Sequence, residues 1–308
     1  MDFRACRLYG LNTVSELEEL LETGLSPFTR SENLWRQYHI EQIDDSHIIE
    51  SPNEKLKKSQ RNLLSLLNEL DFPVYLYSVR GRSFVDGTAS HIGTANHIIK
   101  MDIHRFFLST GREKVYRFWK DDMAVSKSVA AILTNLTTVD LRQCSLTNVV
   151  EALKQNNLCI SHLGFGLPTS VVLSFLCNID MFNELEKFAL TEEMVLSVFV
   201  DDIILSSHRN VTRQDYDSVR KIIMNHGYKI NRKSKYQNGD EPIVVTGLYL
   251  SNRGISVPNK KQKEYKELKQ IFATDSETAD VEVRYQGLKS YIASIRKTNQ
   301  QLQSGKTI

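Results

Sequence analysis

MVLSVFVDDIILSS, residues 194–207, places two adjacent carboxylates, Asp201 and Asp202, between two apolar, β-branched runs. Val195, Val198, Val200, Ile203 and Ile204 favour strands, and a pair of Asp between strands favours a turn. The stretch reads as a β-hairpin that displays both carboxylates at its tip. Two other Asp pairs, Asp44 with Asp45 and Asp121 with Asp122, act as internal controls. They stand in polar, loop-like or helix-start surroundings and read as solvated charge. Asp201 and Asp202 are carried instead by a strand patterned for burial. Two unit charges about 4 Å apart repel by roughly 4 kcal/mol at an effective dielectric near 20. Something positive has to offset that, and a divalent cation is the usual candidate. A plain hairpin turn, for which Asp is a common choice, is the other reading of these residues.

At 308 residues the chain has room for two or three subdomains and a sizeable core. Its hydrophobic content of 41% and charged content of 25% are those of an ordinary globular protein. No apolar run approaches the roughly 20 residues a membrane helix needs, and the start, MDFRACRLYG, is not that of a signal peptide. Cys6, Cys144, Cys159 and Cys177 form no CxxC and are spaced as reduced thiols. The expectation is a cytoplasmic protein with no membrane partner. Net charge is only +2, but its distribution is uneven. Eight basic residues between Arg209 and Lys235 face two acidic ones, Asp215 and Asp217. Between Lys260 and Lys269, five Lys (Lys260, Lys261, Lys263, Lys266 and Lys269) face Glu264 and Glu267. A basic second half is compatible with a polyanionic partner, although a charge run is also what a solvated helix face looks like.

Working outward from the hairpin, residues 97–103 are apolar and β-branched enough for a buried strand, with Asp102 near its end. A metal held by Asp201 and Asp202 would draw a third carboxylate from such a neighbour; the bland reading of Asp102 is a cap or turn residue. Residues 164–170, GFGLPTS, read as a turn whose Thr169 and Ser170 cap a helix running to about residue 189. Residues 212–226 form a helix closed by Gly227, followed by strands at 228–230 and 244–250. Further upstream, residues 12–24 carry a capping box at Thr13 and Glu16 and a stop at Gly24. A stronger helix begins at Ser51 with Pro52 in its first turn. Residues 74–79 look like a strand, 110–160 are mostly helical, and the chain from about 259 onward is helical and basic. Residues 26–50 carry no clear signal. Strand, helix, hairpin, helix, strand around three carboxylates is the pattern of a ferredoxin-like split β-α-β sheet in an α+β fold. Carboxylates converging at strand ends suit a pair of Mg2+ ions and in-line phosphoryl displacement.

Four motifs then make a resemblance specific. MDIHRFF (101–107), GLPTS (166–170), FVDD (199–202) and VTGL (245–248), in this order and at these separations, resemble a reverse transcriptase, and most of all the bacterial retron-type enzymes. The resemblance covers roughly residues 50–300. It implies a right-hand polymerase: N-terminal helices and fingers over 1–90, a palm over 91–250 with a helical insertion at about 110–160, and a small helical thumb over 251–308. Asp102, Asp201 and Asp202 take the metal-ligand and catalytic roles, with Ile103 beside them in the metal site. Phe107, five residues after Asp102, matches the bulky ring held against the sugar 2′ position, while Phe106 packs inward. Gly166 and Pro168 match the loop beneath the incoming nucleotide, and Arg80 and Arg82 fall where basic residues of the fingers face triphosphate or template. His91 matches the histidine ending the retron N-A-x-x-H stretch and is assigned, with Lys260, Lys261, Lys263 and Lys266, to RNA. The proton-donating Lys is Lys233 or Lys235. The departures are Phe165 in place of Gln, Val171 in place of Pro, and Gly87 and Thr88 in place of Asn-Ala.

The resemblance further implies dNTP substrates, a cognate non-coding RNA as template and two Mg2+ ions. It also implies priming from a guanosine 2′-OH to leave branched multicopy single-stranded DNA (msDNA), and an effector protein in anti-phage defence. Its rivals are another defence-associated, abortive-infection type reverse transcriptase and an RNA-binding scaffold without turnover. The residues by themselves reach only metal-dependent nucleotidyl transfer.

Overall fold

The computed structural model describes residues 1–29, 34–44, 47–274 and 279–303. In chain order, α1 (Val14–Leu21) precedes a hairpin of β1 (Tyr38–Asp44) and β2 (His47–Pro52), then α2 (Glu54–Leu67), α3 (Phe84–Ala89) and β3 (His97–Asp102). Next come α4 (Phe106–Ser109), α5 (Arg112–Arg117), α6 (Lys127–Thr137), β4 (Thr138–Asp140), α7 (Thr147–Gln155) and β5 (Ser161–Leu163). They are followed by α8 (Ser170–Leu176), α9 (Ile179–Thr191), β6 (Val195–Phe199), β7 (Asp202–Ser206), α10 (Arg213–Asn225) and β8 (Lys235–Asn238). The chain closes with β9 (Ile243–Val245), β10 (Leu248–Ser251), β11 (Gly254–Ser256), α11 (Asn259–Thr274) and α12 (Ala279–Gln303). These gather into two units, each built from separate stretches: Met1–Pro73, Ile103–Asn183 and Asn225–Lys229 form one, and Val74–Asp102, Glu184–Met224 and Ile230–Ile308 the other.

The first unit is mainly helical. Leu17 and Leu21 of α1, Leu56, Leu63 and Leu67 of α2, Trp119, and Leu133 and Leu136 of α6 are all buried in it. The Thr13–Glu16 capping box starts α1 as expected, but the helix ends at Glu22, which itself adopts the left-handed conformation at φ +48°, rather than at Gly24. The expected start of α2 at Ser51 is also displaced. Ser51 and Pro52 are paired with His39 and Tyr38 in the β1–β2 hairpin, so Asn53 becomes the cap and accepts from the Leu56 N–H at 2.9 Å. That hairpin had no legible signal. Nor had the short β4–β5 pair, which interrupts the segment read as helical. The single helix expected from 170 is divided into α8 and α9. Of the control pairs, Asp121 and Asp122 are exposed, as read; Asp45 lies outside the described residues.

The second unit is organised by an antiparallel sheet of order β6-β7-β3-β8. Residues 74–79, expected as a strand, meet β6 in an isolated bridge between Leu76 and Val198 before the chain turns at Val79–Arg82. The strand placed at 228–230 lies instead at Lys235–Asn238, where β8 pairs with β3. Residues 244–250 are a hairpin rather than one strand, because Thr246 and Gly247 both take positive φ. Ile98, Ile204, Ile243, Leu248, Leu250, Ile255 and Ile295 form one buried cluster. In α11 and α12, Tyr265 and Phe272 stack on Tyr285 with ring centroids 5.7 and 4.9 Å apart. Among the described residues no helix is long and apolar enough to cross a membrane.

Candidate functional site

The β6–β7 register sets Phe199 opposite Asp202, leaving Val200 and Asp201 as a two-residue loop. Such loops favour Gly where φ is positive, yet Val200 holds φ +58°. A β-branched residue there is strained, at a cost of about 1–2 kcal/mol. The strain sits beside the carboxylates, the usual place for a conformation held by its surroundings.

On the other side of β7, Asp202 lies opposite Asp102 of β3, so two strands bring the third carboxylate to the hairpin. Burial pushes the Asp201 carboxyl up to about 6; Asp202 and Asp102 add repulsion, while its own backbone N–H and Lys100 oppose the shift. Burial also raises Asp202, with Lys100 countering and Asp102 reinforcing. Lys100 precedes Asp102 by two residues and so shares its face of the strand. Its Nζ stands 3.7 Å from Asp202 Oδ1 and donates to the Val244 carbonyl at 3.3 Å. One cation against three carboxylates leaves excess negative charge in a desolvated place. Oxygen donors of this kind fit Mg2+. Among the described residues no three His, Cys, Asp or Glu side chains are already drawn into a coordination cluster. Ile103 is buried, and a backbone carbonyl is the only ligand atom it can offer.

The segment after Ile230 is stapled to Asp102 on both sides: the Asn231 N–H donates to the Asp102 carbonyl at 2.8 Å, and the Asp102 N–H donates to Ser234 Oγ at 3.0 Å. Between these anchors stands exposed Lys233, whose charge, like that of Lys100, opposes the rise of the Asp202 carboxyl. Lys235 is exposed on β8, opposite Lys100.

His91 corrects an expectation. Its imidazole is wholly buried, with Nδ1 2.6 Å from Ser206 Oγ and Nε2 2.7 Å from Ser197 Oγ, and burial drives it down to about 3. It is a neutral tie beneath β6 and β7, not a surface contact for RNA. Arg82 donates to the Leu76 carbonyl at 2.8 Å within its own turn, while Arg80 is exposed. Thr246 of the VTG triplet is tied to Thr88 of α3, Oγ1 to Oγ1 at 2.7 Å. Lys260, Lys261, Lys263 and Lys266 are exposed on α11; Lys261 lies over the Tyr291 ring at 4.4 Å and Lys263 pairs with Glu267 at 3.9 Å.

The remaining assigned residues belong to the first unit. Phe106 packs inward on Tyr228 and Phe182, centroids 5.3 and 6.4 Å away, as expected. Phe107 is half-buried with its ring 5.7 Å from that of Phe165. Phe165 is exposed, and its backbone is clamped to β2. Its N–H donates to Glu50 Oε2 at 2.8 Å, and its carbonyl accepts from the Glu50 N–H at 3.0 Å. The other Glu50 oxygen lies 2.7 Å from His162 Nε2, with both side chains wholly buried. Gly166 follows at φ +110°, where a Cβ would come within 3.3 Å of the Glu50 carbonyl oxygen. Pro168 is half-buried, and Ser170 Oγ donates to the Gly164 carbonyl at 2.5 Å instead of Thr169 capping α8. Lys100 and the Glu50–His162 pair were missed from sequence. Lys100 carried a usable signal, its period-two spacing from Asp102; Glu50 and His162 are 112 residues apart and carried none.

Residues 41–272, well over half the chain, match the family described as reverse transcriptase (RNA-dependent DNA polymerase). The retron Se72 reverse transcriptase of Salmonella heidelberg (strain 579083-10) is 25% identical over 224 residues, 70% of this chain and 53% of that protein. The chain spans about half the length of the curated relative it matches.

Proposed function

The chain belongs to the reverse transcriptase family, and on that premise we propose that it is a retron-type RNA-directed DNA polymerase. The observation that carries this is the convergence of three half-buried carboxylates, Asp102 and Asp202 on neighbouring strands and Asp201 in the strained turn, with Lys100 as the near cation. These three, with the Ile103 carbonyl, would hold two Mg2+ ions, which when bound supply Lewis-acid activation of the attacking hydroxyl and stabilisation of the pyrophosphate. Lys100 opposes the rise that burial causes in the Asp202 carboxyl. Lys233, exposed and anchored between Asn231 and Ser234, serves as proton donor to the leaving pyrophosphate. Phe107, braced by Phe165, excludes a 2′-hydroxyl, and Gly166 and Pro168 support the nucleotide. Arg80 faces triphosphate or template, with Arg82 setting the turn that carries it. The α11 lysines hold RNA through phosphates, largely by shape. In this reading the second unit's sheet is the palm, α11 and α12 the thumb, and dNTPs the substrates. The template is a cognate non-coding RNA, priming is from a guanosine 2′-OH, the product is msDNA, and an effector protein completes a defence system in the cytoplasm.

The test is to purify the protein from cells carrying its native locus and digest co-purifying nucleic acid with RNase and DNase, with and without a debranching enzyme. DNA joined to RNA through a 2′ linkage is expected. Unbranched or protein-linked DNA would instead identify a different defence polymerase. RNA without DNA, even after dNTPs and Mg2+ are added, would leave a scaffold.

A further inference from the structure

Beside the Asn231–Ser234 segment, the second unit carries a cleft of about 500 Å3 between α10 and the chain leading through β8. Arg213, Tyr216 and Arg220, spaced along one face of the helix, meet Arg232, Lys235 and Tyr236 from the other wall. No acidic residue lines it. Arg213 is partly spent on Asp217, its Nε 2.9 Å from Oδ2. Arg220, Arg232 and Lys235 are exposed and make no ion pair among the described residues. Tyr216 and Tyr236 form a tilted pair with centroids 5.6 Å apart; Tyr216 is fixed by its hydroxyl, which donates to the Ser234 carbonyl at 3.4 Å, and Tyr236 is one of the more exposed large side chains. Three unpaired cations thus converge around an exposed ring held against Tyr216. Cations that track phosphates, with aromatic faces that accept bases, are the combination that binds single-stranded nucleic acid. The volume falls within the range of small-ligand sites, enough for a nucleotide-sized moiety.

We propose that this cleft is a second nucleic-acid site that grips a single strand outside the polymerising centre, its phosphates on Arg220, Arg232 and Lys235 and a base on Tyr236. Taking the ligand to be a polynucleotide rests on the polymerase reading; the cleft's chemistry stands without it. β8 and the Asn231–Ser234 staple join its wall to Asp102, so a strand held here is tethered to the element that carries the catalytic carboxylate.

The experiment is fluorescence anisotropy of the full chain with a labelled 12-nucleotide oligouridylate over a KCl series, beside extension of a short primer–template by the wild-type protein. R220E/R232E is expected to weaken binding at least tenfold and to flatten the slope of log K against log salt by about 1.4, or roughly 0.7 for each single-strand phosphate no longer neutralised. R220K/R232K, which keeps the charge, is expected to retain wild-type affinity and slope. Y236A is expected to weaken binding by about tenfold with the slope unchanged. Unchanged affinity and slope in R220E/R232E would overturn the inference. So would release of a co-purifying protein by that variant with RNA binding intact, which would make the cleft a protein-docking site. Wild-type protein that extends no primer but binds oligouridylate in an R220E/R232E-sensitive way would refute the polymerase reading and spare the cleft; normal extension with insensitive binding would do the reverse.

Discussion

Each unit draws charged side chains out of full solvent exposure, and the two do it in opposite ways. In the first, Glu50 and His162 meet at 2.7 Å with their remaining polar atoms engaged: Glu50 Oε2 accepts from the Phe165 N–H, and His162 Nδ1 lies 2.5 Å from the Cys159 carbonyl. In the second, Asp201 sits in a strained turn and Asp202 follows on β7 opposite Asp102, with Lys100 3.7 Å from Asp202 as the near cation. A buried pair of opposite charges with satisfied hydrogen bonds holds a structure in place. Half-buried like charges without enough neutralisation work against the fold, and persist where a ligand is to complete them. The Glu50–His162 pair therefore reads as architecture, a clamp on the GFGLPTS loop, and the hairpin as a site.

The largest expected effect tests the hairpin. Asp201→Asn or Asp202→Asn should lower DNA synthesis by at least about a thousandfold, as loss of a metal-site carboxylate does, while RNA binding survives. The same Asp201→Asn should raise thermal stability, by an amount on the order of 1 kcal/mol, because it removes a repelling, partly desolvated charge. A variant with normal synthesis would end the assignment, and one that is less stable would end the comparison.

Glu50→Gln should do the opposite. It strands His162 in the interior and should destabilise by about 3–5 kcal/mol in urea melts. The pair also sets a pH dependence. Burial alone would lower His162, but the charge and hydrogen bond of Glu50 outweigh it and leave it raised. A histidine raised on folding contributes stability that is complete below its unfolded value near 6.5 and is lost as pH climbs through its folded value. Unfolding free energy should therefore fall on the alkaline side of about 6.5 in the wild type, and less so in Glu50→Gln. Identical slopes would show that the pair is not ionised.

Phe107→Ala should relax discrimination against ribonucleotides by about tenfold or more, read as the ratio of kcat/KM for dNTP and rNTP. Unchanged selectivity would remove the ring from that role. The smallest effect concerns the turn: Val200→Gly relieves the left-handed backbone and should stabilise by up to about 1 kcal/mol. A loss of synthesis accompanying it would make the strain part of how Asp201 is aimed.

Much of the site was legible because it is local. The apolar alternation around Asp201 and Asp202, the strand ending in Asp102 and the spacing of FVDD and MDIHRFF are written in consecutive residues, and short-range periodicity is what a chain expresses without its partners. The helices of the first unit were legible for the same reason, although their ends moved where pairing claimed a residue, as with Ser51 and Pro52. By itself, then, the sequence determined the hairpin with its two carboxylates, the strand ending in Asp102 and the family. Tertiary structure alone decided that His91 is sealed beneath β6 and β7 and that Glu50 reaches His162. Burial and ion pairing between residues far apart in the chain depend on which surfaces meet after folding, and no local pattern of side chains encodes that meeting.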